Sequence, residues 1–163
     1  MSPDDIEALR QLEWRADRLL APWYPSFAGP GPEPAATLAA RLAGSDGWVA
    51  VTHGEPAGYV AASRIGDVLW LVQLAVDPAH GRRGLGRALV ETVIGHARST
   101  GCSVVMLSTF RDVPFNRPWY RRLGFAEVEP ATLPQALQAR FVSEIPKTSV
   151  GKLDKKALRQ MAG

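Results

Sequence analysis

Ile6, Leu9, Leu12, Ala16, Leu19 and Leu20 recur mostly at spacings of three and four, which predicts an amphipathic helix over 4–20 with Ser2 or Asp4 as N-cap. Five prolines and two glycines between 22 and 34 exclude regular structure there. A short helix over about 35–43 follows. Residues 48–51 and 58–62, separated by the turn His53-Gly54-Glu55-Pro56, predict a hairpin, and Gly66-Asp67 turns the chain again. Val68 to Val76 is almost continuously apolar, the pattern of a strand buried on both faces. A glycine-rich turn then leads into a helix carrying Leu85, Leu89, Val90, Val93, Ile94 and Ala97, which stops at Gly101. Residues 103–109 predict a strand, Asp112 or Asn116 opens a short helix ending at Gly124, and 125–128 begin a further strand. The predicted order is α, α, β, β, β, α, β, α, β, an α/β chain without internal repeats.

A length of 163 residues suits one domain with a tail, and 46% hydrophobic with 21% charged residues is a soluble globular composition. No apolar run approaches the roughly 20 residues that cross a bilayer, so no membrane partner is expected. The N-terminal residues lack a signal pattern and the lone Cys102 has no internal disulfide partner, which together predict the cytoplasm. The net charge of +3 is unevenly placed: 140–163 hold six basic and two acidic residues, leaving 1–139 at −1. The body is therefore nearly neutral, and no nucleic-acid partner is expected. The first 139 residues contain 13 arginines and no lysine, while all four lysines fall at or after Lys147. This break divides the chain into a domain over 1–139 and a tail over 140–163 of separate origin, a fusion or a graft. His53, His80 and His96 show no metal-ligand spacing, and Cys102 at a strand start reads as packing; no metal is expected.

Gly81-Arg82-Arg83-Gly84-Leu85-Gly86-Arg87 lies between the buried strand and a helix start, where free backbone N–H groups and the helix dipole favour an anion such as a pyrophosphate. Gly84 and Gly86 permit close approach of the backbone, and Arg82, Arg83 and Arg87 add charge. A dinucleotide fingerprint would want a glycine where Leu89 stands, and a P-loop would want Lys-Ser or Lys-Thr. A tight strand-to-helix connection would explain this segment taken alone. It is followed, however, by Trp119-Tyr120-Arg121-Arg122-Leu123-Gly124-Phe125 after one further strand.

Val76-Asp77-Pro78, Gly84-Leu85-Gly86 and Tyr120 with Gly124-Phe125 resemble, residue by residue, the paired motifs of the GNAT acetyltransferases, over about residues 4–139. The resemblance implies the GNAT fold, a mixed and mostly antiparallel sheet flanked by helices. Here its first edge strand is missing or very short, because the chain starts almost at the helix. It also implies acetyl-CoA, or another short acyl-CoA, as cosubstrate. Backbone groups of Leu74, Ala75 and Val76 would bond the pantetheine and the acyl oxygen, residues 82 to 87 would hold the pyrophosphate, and Tyr120 would protonate the leaving sulfur. Two positions depart from the family pattern. Gly81 stands where Gln or Arg is usual, and Val113 where Asn is frequent; Asn116, four residues before Tyr120 on the same helix face, is the candidate cofactor contact instead.

An amine attacks a thioester only when neutral, and a lysine amine with a pKa near 10.4 pays about 4 kcal/mol for that form at neutral pH. A base would help, yet the central strand reads Leu71-Val72-Gln73-Leu74 and the next Leu107-Ser108-Thr109, without a carboxylate, so that base action is either absent or supplied from elsewhere. Glu13, Asp17 and Asp112 remain open as bases acting through water.

Residues 141 to 160, with Pro146-Lys147-Thr148, Gly151-Lys152 and a basic run, resemble the C-terminal end of acyl-CoA synthetases of the adenylate-forming family. In those ligases the lysine corresponding to Lys152 serves adenylation and is switched off when GNAT enzymes acylate it. The resemblance implies a protein lysine acetyltransferase whose partner is this lysine motif, supplied by Lys152 of its own tail or of a neighbouring molecule. The alternative is acetylation of a small amine, with 140–145 adding a last strand and the rest a solvated basic helix.

Overall fold

The computed structural model describes residues 1–143 and the backbone of 155–161. Among them are the helices α1 (Ile6–Asp17), α2 (Ala35–Leu42), α3 (Leu85–Ser99), α4 (Asn116–Arg122) and α5 (Gln135–Ser143). The strands are β1 (Asp46–Thr52), β2 (Glu55–Ile65), β3 (Val68–Val76), β4 (Val104–Phe110), β5 (Ala126–Val128) and β6 (Lys155–Met161). They form a mixed sheet in the order β1-β2-β3-β4-β6-β5, flanked by helices, which is the predicted fold class. The residues before α1 form a 3-10 turn, Pro3–Asp5, rather than an edge strand. None of the described helices is long and apolar enough to cross a membrane. The chain divides into two compact units, residues 1–63 with 71–95 and residues 64–70 with 96–163.

The first unit is built on the amphipathic pattern of α1. Leu9 and Leu12, with Leu38 and Leu42 of α2, are buried against Tyr59 and Ala61 of β2 and Ala75 of β3. Burying a leucine fully contributes roughly 1.5–3 kcal/mol, so these four hold both helices on the sheet. The predicted helix is shorter than 4–20: Arg18–Leu20 tighten into a 3-10 turn and Leu19 is 51% exposed. Once the turn leaves the 3.6-residue period, Leu19 no longer follows the apolar stripe. The β1/β2 hairpin turns through His53 at φ 54° and Gly54 at φ 86°, the left-handed pair that matches strand twist.

In the second unit β6 pairs antiparallel with β4 from Val104↔Met161 to Phe110↔Lys155, and with β5 from Ala126↔Arg159 to Val128↔Ala157. Two expectations for the end of the chain are corrected here. Residues 140–143 do not begin a last strand, because α5 occupies 135–143 and buries Leu137 and Phe141, four residues apart on one helix face, while 144 and 145 lie outside the described residues. Residues 155–161 are a strand rather than a basic helix. Their local preference is helical, but between β4 and β5 their backbone satisfies two rows of N–H and C=O groups.

Candidate active site

β3 carries the apolar run to Val76 and delivers the chain to the predicted cofactor loop. Gly58 of β2 lies against this end of the strand: a Cβ there would stand 3.0 Å from the Ala75 carbonyl oxygen and 3.3 Å from a Val76 methyl. Glycine thus lets β2 come close to β3 beside the residues expected to meet the acyl group. Leu74 and Val76 are half-buried, and Ala75 is buried in the core under α1.

After the 3-10 turn Pro78–His80, Arg82 at φ 60° and Gly84 at φ 82° both take left-handed backbone, and α3 begins at Leu85. The Ala88 N–H donates to the Gly84 carbonyl at 3.0 Å, so the amides of Leu85, Gly86 and Arg87 have no acceptor within the helix. Left-handed residues next to a helix start make a concave row of N–H donors suited to phosphate oxygens. Arg82, Arg83 and Arg87 are exposed around it, Arg87 in a surface pair with Glu91 at 2.7 Å. Amides and guanidinium groups form a donor set that fits a pyrophosphate.

α1 brings a second group of charges into the same unit. Glu13 is 7% exposed and accepts hydrogen bonds from the Tyr59 hydroxyl and the Arg41 guanidinium. Arg41 also bonds Glu33 at 2.5 Å. Burial pushes the Glu13 carboxyl above its usual range, against the pull of Arg41 and Tyr59. Asp17, one turn further along α1 and half-buried, is pushed up to about 7, by burial first and then by the charges of Glu13 and Glu33, with Arg41 opposing. Asp112, the third candidate base, is exposed. Closer to the loop, Arg15 of α1 holds Asp77, through Nε at 2.8 Å and Nη2 at 2.6 Å.

The second unit holds Tyr120, 8% exposed on α4, with edge-on contacts to Trp119 and Phe125. Gly124 at φ 88° ends α4, and the Phe125 N–H returns to the Tyr120 carbonyl at 3.1 Å. The Gly-Phe pair therefore caps the helix that presents the tyrosine and packs its ring. Burial pushes the Tyr120 phenol well above its ordinary pKa, so it stays protonated through the neutral range. Asn116 is the half-buried first residue of α4. Lys152 lies outside the described residues.

The strand residues 74–76 and the loop residues 82–87 thus fall in one unit, and Asn116 and Tyr120 in the other. Reasoning from the sequence missed Gly58, the Arg15–Asp77 pair, and the partners of Glu13 on α2 and β2. Their signals are single residues far apart in the chain, which no periodicity connects.

A buried strand that feeds a row of amides at a helix start is an architecture suited to an anion such as a diphosphate. The chain belongs to the acetyltransferase (GNAT) family, whose model matches residues 6–125. Human N-acetyltransferase 8 is 32% identical over 122 residues, 68% of this chain and 54% of that protein, so the match spans about half the length of this relative. Among solved structures, the ribosomal-protein-S18-alanine N-acetyltransferase from Escherichia coli has a TM-score of 0.73 at 22% identity, over 100% of this chain and 91% of its own. The PaiA N-acetyltransferase from Thermoplasma acidophilum, solved in complex with coenzyme A, has a TM-score of 0.69 at 13% identity, over 99% and 95%.

Proposed function

We propose that the protein transfers an acetyl group, or another short acyl group, from acyl-CoA to a primary amine of a small molecule or peptide, with residues 155–161 serving as sheet rather than as substrate. The donor supplies an activated thioester. The amides of 85–87, with Arg82, Arg83 and Arg87, bind the pyrophosphate; Asn116 is a further cofactor contact. The backbone of Leu74, Ala75 and Val76 orients the pantetheine and polarises the acyl carbonyl. Asp17 is the base: Glu13 is committed to Tyr59 and Arg41, whereas Asp17 stands beside that network with an affinity for protons suited to neutral pH. It takes one proton from the ammonium group, and the free amine attacks. The N–C bond forms as the C–S bond breaks, the Tyr120 phenol proton goes to the departing sulfur, and the second nitrogen proton restores the phenol.

The observation that carries the choice of acceptor is the pairing of β6 on both edges, with β4 and with β5. The backbone of Lys155 and Lys156 is thereby engaged in the sheet, whereas Lys152 lies outside the described residues. The second reading keeps Lys152 as the acceptor, in its own molecule or a neighbouring one, and is favoured by the ligase-like Gly151-Lys152 sequence of a tail that carries all four lysines. Incubation with acetyl-CoA, followed by peptide mapping, separates them. The tail lysines are expected to stay unmodified while a small primary amine is acetylated. Stoichiometric acetylation of Lys152 without added amine reverses the assignment.

A further inference from the structure

We propose that Arg15 and Asp77 are a positioning pair that sets the direction of the turn between β3 and the cofactor loop, so that acetyl-CoA affinity depends on a residue of α1. The inference rests on the reading of 82–87 as the cofactor loop. Only four residues separate Val76 at the end of β3 from Gly81 at the start of that loop, and every polar group of Asp77 is used in shaping them. Its N–H donates to the Ala57 carbonyl at 2.9 Å, extending the β2 contact one residue past the strand. Its carbonyl accepts from the His80 N–H at 2.8 Å, and carboxylate Oδ1 accepts from the Ala79 N–H at 2.9 Å. Oδ2 receives Nε and Nη2 of Arg15. Asp77 is 8% exposed, and although burial opposes it, the Ala79 N–H and Arg15 hold its carboxyl below the usual carboxylate range.

The bonds to Ala79 and His80 are local. They fix the shape of the turn, as does Pro78 with its restricted φ, but they do not orient it relative to the rest of the unit. Orientation requires bonds to other elements. One is the ladder bond to Ala57 at the strand side; the other is Arg15, which grips the side chain at the centre of the turn. Arg15 is a firm post, because α1 is anchored by fully buried Leu9 and Leu12 and by the Glu13–Tyr59 bond two residues away. Past the turn, the left-handed Arg82 and Gly84 carry its direction into the amides of 85–87. A small rotation at Asp77 therefore displaces the whole row of donors, and donor placement governs anion binding.

The pair is tested by calorimetric titration of the full chain with acetyl-CoA, together with steady-state kinetics. Arg15→Met keeps the apolar stem and removes the charge; Asp77→Asn keeps an acceptor for Ala79 and removes the ion pair. Each is expected to weaken acetyl-CoA binding roughly tenfold, and the double variant no further than either alone, as for two residues acting through one contact. The acceptor KM at saturating acetyl-CoA is expected to stay within about twofold, a split that loss of stability alone would not produce. Arg15→Lys, which keeps the charge at this half-exposed side chain but not the two-nitrogen grip, is expected to fold and to lose about threefold. Unchanged affinity in the Arg15 variants, or losses that add in the double variant, overturns the proposal. Gly86→Glu serves as reference. If it abolishes binding while Arg15→Met and Arg15→Lys do not alter it, the pair alone is refuted; if Gly86→Glu binds normally, the loop reading fails first.

Discussion

At the scale of single residues, the two side chains proposed to move protons, Tyr120 and Asp17, lie in different environments. Tyr120 is enclosed by α4 and Phe125, and burial keeps its phenol protonated. Replacing it with phenylalanine keeps the ring and both aromatic contacts. Turnover is expected to fall about a hundredfold with acetyl-CoA affinity unchanged. Unaltered turnover, where chemistry limits the rate, removes the phenol from the mechanism. Asp17 is pushed up to about 7, so kcat/KM is expected to rise with pH along a limb near 7 as the carboxyl ionises. Asp17→Asn should lose that limb along with roughly a hundredfold in kcat/KM. The same shift has a consequence for stability. The folded chain holds a proton that the unfolded chain releases near pH 3.9, so stability falls as pH rises from about 4 to 7. Asp17→Asn is therefore expected to raise Tm at pH 8 and to leave it nearly unchanged at pH 4; a lower Tm at pH 8 contradicts the assignment. None of this was legible in the sequence, where Glu13, Asp17 and Asp112 were equal candidates. Tertiary contacts with Tyr59 and Arg41 separate the first two, and exposure sets the third apart.

At the scale of elements, the helices and strands up to β5 follow the apolar pattern, because each buries a face whose period matches its geometry. β3 reads as a buried strand and is one; α3 carries its stripe from Leu85 to Ala97 and ends before Gly101. The last two elements do not follow. α5 hides in a stretch where, among the described side chains, Leu137 and Phe141 mark the buried face, too few for a periodicity. β6 runs against its local preference, with Ala157, Leu158 and Gln160 all good helix formers. Its conformation comes from two neighbours that leave an open lane. A chain ending at Ser143 would lose seven residue pairs to β4 and three to β5, exposing the facing edges of both strands. That truncated form is expected to unfold at a lower temperature, with a broader transition by circular dichroism, and a peptide covering 144–163 is expected to restore part of the loss by strand addition. An unchanged transition temperature would mean that β6 contributes little to the sheet.

At the scale of the whole molecule, the sequence by itself determined the α/β class, the order of the first nine elements, and the two motifs that mark an acetyltransferase of this family. It could do so because those features are local: periodic burial within one element, glycines where φ is positive, and a helix cap four residues after a tyrosine. The altered basic composition after residue 139 was equally plain, yet composition does not say whether a segment is substrate or scaffold. Only the tertiary structure decided that 155–161 lie between β4 and β5, that Glu13 is held by Tyr59 and Arg41, and that Arg15 reaches the turn before residues 82–87. Each of these joins residues 28 to 62 positions apart, or a strand to partners it meets only when the sheet closes. Such contacts depend on the backbone bringing distant side chains within a few ångströms, and no short-range pattern of hydrophobic and polar residues encodes that.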